Sequence, residues 1–466
     1  MTEEKPKGIP KKSSSTPRKK TVRKPTKKMN PKILIGAGGG ILILSVILFF
    51  VMSGKNNNKK EPEGFQGKIS YVVTIEGMDE LKDILKMFSA KMPEQVEYLF
   101  WDKNFRAKSG KKSGKPINDV LIKQGEGYLI KHDKKEVYKA SSELLQEKRN
   151  SSCQVKPLEE TLEILGYSCK KYEVEVTQEN KTKKLQLWAS EQFSATFPKG
   201  ADILLGSDAI YFKEISGMPL KIVSEIPLPG GKKGAVVITA ENISLTIDEG
   251  DLDYPSEYKE KDYRSLEIDL HEIQVIGALR NMSTAQAQFQ NAAPKDRDQD
   301  TIGEYGYLVE LSGVVPTLLG DKQNQPLSAP FIDKMLGESA SQNGGIATRF
   351  GYHFLMYLPA EKMAIPENGK VGIASQNASE MNAQETRWIC YAWPEKKGIS
   401  GNRCFLVSQN AEVLSSKDAD YNGMEKKPTP EAAFVKSGNL ESAKNLEGEL
   451  SNKTESFSGF TWEPSS

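Results

Sequence analysis

Residues 33–54 form an uninterrupted run of 22 residues without a charged side chain. A helix of that length is roughly 33 Å long, which is enough to cross the hydrocarbon core of a bilayer. The run is longer than the apolar core of a cleaved signal peptide, and neither a small-residue cleavage site nor a lipid-accepting cysteine follows it. We therefore predict a single N-terminal transmembrane helix that stays in the chain as an anchor.

Basic residues are concentrated ahead of this run. Residues 1–32 contain twelve Lys or Arg and two Glu, a net charge of +10, whereas the remainder of the chain has a net charge of −8. Because the more basic flank stays in the cytoplasm, we predict a cytoplasmic N-terminus and extracytoplasmic C-terminal domains in a bacterial, single-pass membrane protein. The Pro-, Ser- and Lys-rich composition predicts a disordered tail attracted to anionic lipid headgroups, with nucleic-acid binding by this tail as the alternative. The acidic remainder is not a nucleic-acid binder.

The chain after the span is long enough for two domains beyond a polar stalk at residues 55–64. It contains no HExxH, GxSxG, P-loop or GxGxxG motif, and its three histidines are far apart in sequence. These absences favour a non-enzymatic protein.

The four cysteines fall into two local pairs, Cys153 with Cys169 and Cys390 with Cys404. In an oxidising compartment this spacing predicts two disulfide bonds; a reactive redox pair is the alternative for the first. For the second pair, a hairpin register that sets Cys390 opposite Cys404 allows the bond. A register shifted by three residues would set Cys390 opposite Val407 and prevent it.

Residues 65–260 are dominated by alternating apolar and polar residues, the pattern of half-buried strands, separated by Gly-rich turns. The pattern predicts an antiparallel β-domain in meander order. The segments that carry a resemblance are ISYVVTIEG (69–77), GYSCKKY (166–172), LW (187–188), GMPL (217–220) and DYPSEY (253–258). They are similar to a domain family of unknown function in the outer-membrane lipoprotein-sorting (LolA-like) superfamily.

This resemblance implies an open half-barrel whose concave apolar face holds a lipid or lipoprotein ligand. A closed β-domain with an ordinary core is the alternative, because apolar residues on one strand face look the same in both cases.

Residues 265–434 begin with a long amphipathic helix, which we expect Ser265 to cap. Its apolar stripe consists of Ile268, Val275, Leu279, Met282 and Phe289. Together with the segments ALR (278–280), GEYG (303–306), YAWP (391–394) and GNRCFLV (401–407), it resembles the globular part of type IV pilins and pseudopilins, as in planctomycete-type envelope proteins. The resemblance implies a long helix packed on a small antiparallel sheet. In pilins the membrane helix lies directly before the long helix, whereas here the predicted span is at residues 33–54. The resemblance therefore favours a reused binding or scaffold module over filament assembly.

Asp296, Asp298 and Asp300 occupy alternate positions after this helix, with Glu304 close behind. Four carboxylates at this spacing are typical of an oxygen-ligand set for Ca²⁺, although the loop does not have the EF-hand pattern. A solvated acidic turn without a cation is the alternative.

The sequence therefore predicts an α+β, membrane-anchored, non-enzymatic envelope protein that binds an apolar ligand or acts as a scaffold. Residues 435–466 are predicted to be a disordered polar tail, although Phe457, Phe460 and Trp462 can dock on the body. The alternative function is a metal-dependent enzyme in which Asp296 converges with His271 or His353 around a catalytic metal.

Overall fold

The computed structural model describes residues 64–77, 93–146, 151–178, 181–194, 198, 204, 214–227, 233–319, 322–323, 326–370 and 378–465. The predicted basic tail, the predicted span and almost all of the predicted stalk lie outside these residues. Within them, no helix combines the length and the apolar character needed to cross a membrane.

The first part of the chain forms one large sheet of twelve strands. They are β1 (Gly67–Glu76), β2 (Gln95–Trp101), β3 (Asn104–Gly110), β4 (Pro116–Lys123), β5 (Glu126–Lys131), β6 (Glu136–Ala140), β7 (Ser151–Ile164), β8 (Tyr167–Gln178), β9 (Lys181–Ser190), β10 (Met218–Pro227), β11 (Lys233–Ser244) and β12 (Lys259–Asp262). Their order is β12-β6-β5-β4-β3-β2-β1-β11-β10-β9-β8-β7, so the sheet is open, with β12 and β7 at its two edges. All neighbours are antiparallel except β12 and β6. The predicted antiparallel β-domain is confirmed.

One face of the large sheet is apolar from β6 to β8, because alternate side chains point to the same face. In β1 the residues Ile69, Tyr71 and Val73 are buried, while those between them are half-buried. This core also includes Leu204 and the first turns of the long helix.

The opposite face is partly covered by a strap, residues 245–258, that follows β11. Leu252 in the strap packs with Leu121, Ile130 and Val137 on the strands beneath it, in a second, smaller core. The strap gives β3 to β6 buried residues on both faces, which is why the consecutive residues Val120, Leu121 and Ile122 of β4 are all apolar.

The charged residues at the boundary between the two predicted domains resemble a linker in sequence, but they form strand β12. This strand pairs in parallel with β6 and runs directly into helix α1 (Tyr263–Ala292). The helix begins after Asp262, whose carboxylate accepts a hydrogen bond from the Arg264 N–H, so the predicted cap at Ser265 is wrong by three residues. Leu266 packs in the core of the large sheet, whereas Val275 packs in that of the second domain. One helix thus belongs to both cores.

The second domain is α+β, as predicted, and its main sheet has the order β15-β16-β18-β19-β20-β21, with β17 paired to β16. Its strands are β13 (Leu318–Leu319), β14 (Lys322–Gln323), β15 (Ala347–Arg349), β16 (Tyr352–Leu358), β17 (Ile365–Pro366), β18 (Ile389–Pro394), β19 (Cys404–Ser408), β20 (Val413–Ser416) and β21 (Glu463–Pro464). Its shorter helices are α2 (Leu308–Leu311), α3 (Lys334–Gln342), α4 (Ala378–Thr386) and α5 (Leu440–Lys444). Both faces of this sheet are buried, one against α1.

The predicted disordered tail is ordered over residues 435–465, and the second domain therefore extends beyond 434. Strand β21 pairs with β20, and Trp462 is fully buried in the core on the far side of the sheet. Phe457 and Phe460 pack against the same core. Burial of these three aromatic side chains stabilises the folded tail despite the polar residues between them, because each aromatic side chain buries a large apolar area.

The predicted Cys390–Cys404 bond is absent, and the structure gives the physical reason. Cys390 lies opposite Val407, the shifted register that the sequence offered as the alternative. Cys390 belongs to the core on the α1 side of the sheet, and Cys404 to the core on the other side. The two side chains point away from each other across the sheet, so their sulfurs cannot meet.

The predicted Cys153–Cys169 bond is absent as well. Cys153 lies opposite Val176 in the β7–β8 hairpin, whereas Cys169 lies opposite Leu162. Val176 and Cys169 are seven positions apart on one strand, roughly 23 Å at the rise of an extended chain. No disulfide joins any two of the four cysteines, all of which lie in described segments.

Candidate cation site

The loop that follows α1 has a backbone shape that few sequences adopt. The helix ends at Ala293, which has a φ of 45°, and the loop then places Gln299 at 61° and Thr301 at 79°. Left-handed conformations are uncommon for residues other than glycine, and for β-branched Thr they are strained. The resulting tight coil turns the alternate side chains of the loop inward.

The three predicted aspartates converge in this coil. One carboxylate oxygen of each of Asp296, Asp298 and Asp300 lies within 4.8 Å of the others. Oxygens bound to one Ca²⁺ at about 2.3–2.6 Å are at most about 5 Å apart, so this spacing fits a shared cation. Asp296 is only 7% exposed, and Oδ1 of Asp296 and Oδ1 of Asp298 are buried without a hydrogen-bond partner.

A fourth carboxylate, Glu385 on α4, faces the same coil. It is 7% exposed, and its Oε1 has no hydrogen-bond partner. Burial, and then the negative charges of Asp300 and Asp298, raise the pKa of Glu385 to about 7. A buried carboxylate without a donor next to three others is costly unless a cation neutralises the group.

Glu304, predicted as the fourth ligand, has another role. It is fully buried, and its carboxylate accepts hydrogen bonds from the backbone N–H of Arg297 at 3.1 Å and from the guanidinium Nε at 2.7 Å. The Lys295 ammonium lies 3.9 Å from the same carboxylate. Glu304 thus pairs with the basic residues of the loop, and these residues compensate its charge.

The buried cations near the coil are already committed to other acids. Lys295 is fully buried and lies 3.4 Å from Glu310, and Arg297 lies 4.0 Å from Glu380 in addition to its bonds with Glu304. Within the described part of the chain, no Lys or Arg forms an ion pair with the three aspartates or with Glu385. The three aspartates of the coil and Glu385 on α4 are therefore not compensated by a basic side chain.

One hydrogen bond closes the loop, and two hold α4, one to the loop and one to α1. The Glu304 N–H donates to the Lys295 carbonyl at 2.9 Å, and the Tyr305 N–H donates to the Gln384 carbonyl at 2.9 Å. The Gln290 side chain on α1 donates to the Glu385 carbonyl. These bonds fix the backbone around the carboxylates on both sides, so the site is built from two elements that are distant in sequence.

The two histidines of the alternative enzyme hypothesis lie elsewhere. His271 is on α1 and bonds to the Ser400 carbonyl; it precedes the end of that helix by 21 residues, roughly 32 Å. His353 lies near the start of β16, bonded to Thr348 and beside Trp393, and burial lowers its pKa. Among the residues that the structure describes, the three aspartates are the only group of potential metal ligands that converges.

Comparisons with known proteins add structural likenesses only. No protein family profile matches the chain, and no curated protein matches it. Among solved structures, an uncharacterized conserved protein from Thermus thermophilus is similar at a TM-score of 0.21 with 11% identity, over 42% of this chain and 90% of that one.

A putative exported protein with a YmcC-like fold from Bacteroides fragilis is similar at a TM-score of 0.15 with 8% identity, over 42% of this chain and 98% of that one. A LolA superfamily protein from Nitrosomonas europaea is similar at a TM-score of 0.19 with 14% identity, over 48% of this chain and 98% of that one. The pilin resemblance of the second domain stays a prediction.

Proposed function

We propose that this chain is a non-enzymatic, membrane-anchored envelope protein whose second domain is a Ca²⁺-stabilised binding or scaffold module. The site formed by Asp296, Asp298, Asp300 and Glu385 holds the ion. The anchor predicted at residues 33–54 keeps both domains at the outer surface of the membrane, where Ca²⁺ is available.

The observation that carries the proposal is the charge balance of the coil. Three aspartates converge without an ion pair, and their negative charges act on the buried Glu385. Three oxygens of these four side chains are buried without a hydrogen-bond donor. A divalent cation supplies both the charge and the oxygen coordination that this group needs. Hard carboxylate ligands without Cys or His favour Ca²⁺ or Mg²⁺ over zinc, and a flexible set of this kind favours the larger ion.

The bound ion has a structural role. It joins the C-terminal end of α1, through Asp296 and Asp298, to α4, through Glu385. Since α1 also packs in the core of the large sheet, fixing its far end limits the movement of one domain against the other. Binding to the folded state alone stabilises it by about 2.7 kcal/mol at a concentration one hundred times the dissociation constant.

The test is calorimetric titration of Ca²⁺ into the full chain in detergent, after chelation. We expect one saturable site and a melting temperature that rises with Ca²⁺. Asp298→Asn should weaken binding at least tenfold, whereas Asp418→Asn, an exposed aspartate of the same domain, should leave it unchanged. If neither the binding isotherm nor the melting temperature responds to millimolar Ca²⁺, the acidic loop is a solvated turn and the proposal fails.

A second function is supported by the large sheet. Its apolar face continues across all strands from β6 to β8, and the strand order leaves it open at both edges. We propose that this face takes an acyl chain or another apolar ligand. Saturable binding of a fluorescent fatty acid by the full chain, displaced by unlabelled fatty acid, would support this proposal. A linear signal that does not saturate would show that the apolar face is an ordinary closed core.

A further inference from the structure

The exposed apolar side chains of the first domain are concentrated at one end of its sheet. Across the described residues from 64 to 262, the large apolar side chains that are exposed are Trp101, Leu162, Leu165 and Leu245. Trp101 is 43%, Leu165 46% and Leu245 70% exposed. A random scatter of exposed apolar residues needs no explanation, but three of these four at one end of the sheet do.

The strand register shows that Trp101, Leu165 and Leu245 lie at the same end of the large sheet. One row of paired residues crosses the sheet through Val72, Thr239, Lys221, Trp188 and Lys171. Leu165 precedes Lys171 by six residues, and Leu245 follows Thr239 by six, so in antiparallel strands both project from the same end. Trp101 lies next to Phe100, which pairs with Gly67, five residues before Val72. We call residues 64–67, 101–104, 164–167 and 244–246 the rim.

The chain from the predicted anchor also arrives at the rim. Phe65 is fixed there: its N–H donates to the Ser194 carbonyl at 2.6 Å, and its ring contacts Phe100 and Phe193 edge-on. The predicted stalk of ten residues between the span and Phe65 reaches at most about 36 Å when fully extended. With the anchor in the membrane as proposed above, on which this inference rests, the rim stays within that distance of the membrane surface.

We propose that the rim rests on the lipid bilayer, with Trp101, Leu165 and Leu245 inserted at the headgroup level. Tryptophan is enriched at membrane interfaces because its ring is apolar and its N–H is polar, and leucines beside it add apolar area. Weak partitioning suffices, because the anchor holds the rim at a millimolar effective concentration relative to the surface.

The five tryptophans of the chain make this testable. Trp188, Trp388, Trp393 and Trp462 are 7%, 1%, 0% and 0% exposed, so Trp101 alone is open to collisional quenching. The full chain is reconstituted in phosphatidylcholine vesicles containing phosphatidylglycerol, with or without bromine on the acyl chains near the headgroup. The Trp101 signal is the difference between the natural chain and Trp101→Phe.

We expect brominated lipid to quench at least half of the Trp101 emission. As a matched control, Met424→Trp in the Trp101→Phe background adds a tryptophan at another exposed position, 45% exposed in the second domain, and it should not be quenched. The double variant Leu165→Ser/Leu245→Ser removes exposed side chains only, and should lower Trp101 quenching at least twofold without changing the melting temperature.

Two results overturn the proposal. Trp101 emission that brominated lipid does not change places the rim away from the bilayer, whether it is open to solvent or covered by a second copy of the chain. Quenching that the double variant leaves unchanged shows that the tether alone, and not the apolar rim, brings Trp101 to the lipid. Neither outcome depends on Ca²⁺ binding, so the test is independent of the cation site.

Discussion

Arg106 and Asp119 form a buried ion pair on neighbouring strands, with the guanidinium Nη2 2.6 Å from the carboxylate Oδ2. Arg106 is 5% and Asp119 2% exposed. Arg106 also donates through Nη1 to the carbonyls of Asp251 and Asp253 in the strap. One side chain therefore neutralises a buried acid and ties the strap to the sheet. His132 Nε2 lies 3.1 Å from the same Oδ2, while Oδ1 of Asp119 is buried without a hydrogen-bond partner.

We expect Arg106→Leu to lower the free energy of unfolding of the full chain by about 3–5 kcal/mol, because it leaves the Asp119 carboxylate buried without its cation. Urea unfolding measures the loss. Lys233→Leu breaks an exposed pair with Glu225 and should cost at most about 1 kcal/mol. The double variant Arg106→Leu/Asp119→Leu should recover part of the loss; a double variant no more stable than Arg106→Leu would contradict the unpaired charge as the cause.

The effect of Glu385→Gln should depend on the presence of Ca²⁺. Without the ion at pH 8, the substitution removes a buried charge that repels three neighbours, and we expect a gain of about 1–3 kcal/mol in stability. With saturating Ca²⁺ the substitution removes a ligand of the ion, and we expect a loss of stability. Thermal unfolding with Ca²⁺ and with a chelator measures both signs; a gain of equal size under both conditions would show that Glu385 does not bind the ion.

The alternation of aspartates was enough to predict their convergence, since a tight coil brings alternate side chains to one side. The sequence could not predict Glu385, which joins the site through the tertiary contact between α4 and the loop. The sequence also could not show that Glu304 binds Arg297 and does not join the three aspartates. That pairing depends on a bidentate geometry, which residue spacing does not encode. Lys295 and Arg297 resembled surface charges in a polar loop, yet both are buried in ion pairs.

The strand prediction succeeded where one face of a strand is buried. It failed where neither face, or both faces, of the strand are buried. Strand β1 alternates clearly because only one face is covered. Strand β12 has the sequence Lys-Glu-Lys-Asp and is polar on both faces, so it resembled a linker, although its backbone extends the sheet edge. In the second domain, every residue of β18 is buried, and no periodicity fixed the register that separates Cys390 from Cys404.

The stability of the second domain should fall as the pH rises above the ordinary range of a glutamate. Glu367 is 2% exposed and accepts hydrogen bonds from the backbone N–H groups of Leu308 and Val309, and burial raises its pKa to about 8. Because this folded value exceeds the unfolded one, the folded chain holds the proton more tightly. The contribution is complete below about pH 4.5 and is lost as the pH rises to about 8.

Glu367→Gln removes this titration. We expect the loss of stability between pH 5 and pH 8 to be smaller in the variant than in the natural chain by about 3 kcal/mol. The exposed Glu361→Gln in the same domain serves as the control and should keep the natural pH dependence. Parallel urea curves at the two pH values give the comparison, and identical pH dependence in all three chains would place the Glu367 pKa in its ordinary range.

Cys390 and Cys404 should remain thiols even in protein taken from an oxidising compartment. Both are at most 1% exposed, on opposite faces of the same sheet. Burial raises the pKa of Cys404 to about 12 and that of Cys390 above its usual range, so neither is a reactive thiolate at neutral pH. Native protein should therefore resist iodoacetamide at both positions, whereas protein unfolded without reductant should be alkylated at both. Peptide mapping measures the two states. Recovery of a Cys390–Cys404 cross-linked peptide would require a β18–β19 register shifted by three residues, and would show that the sheet described above is wrong at this hairpin.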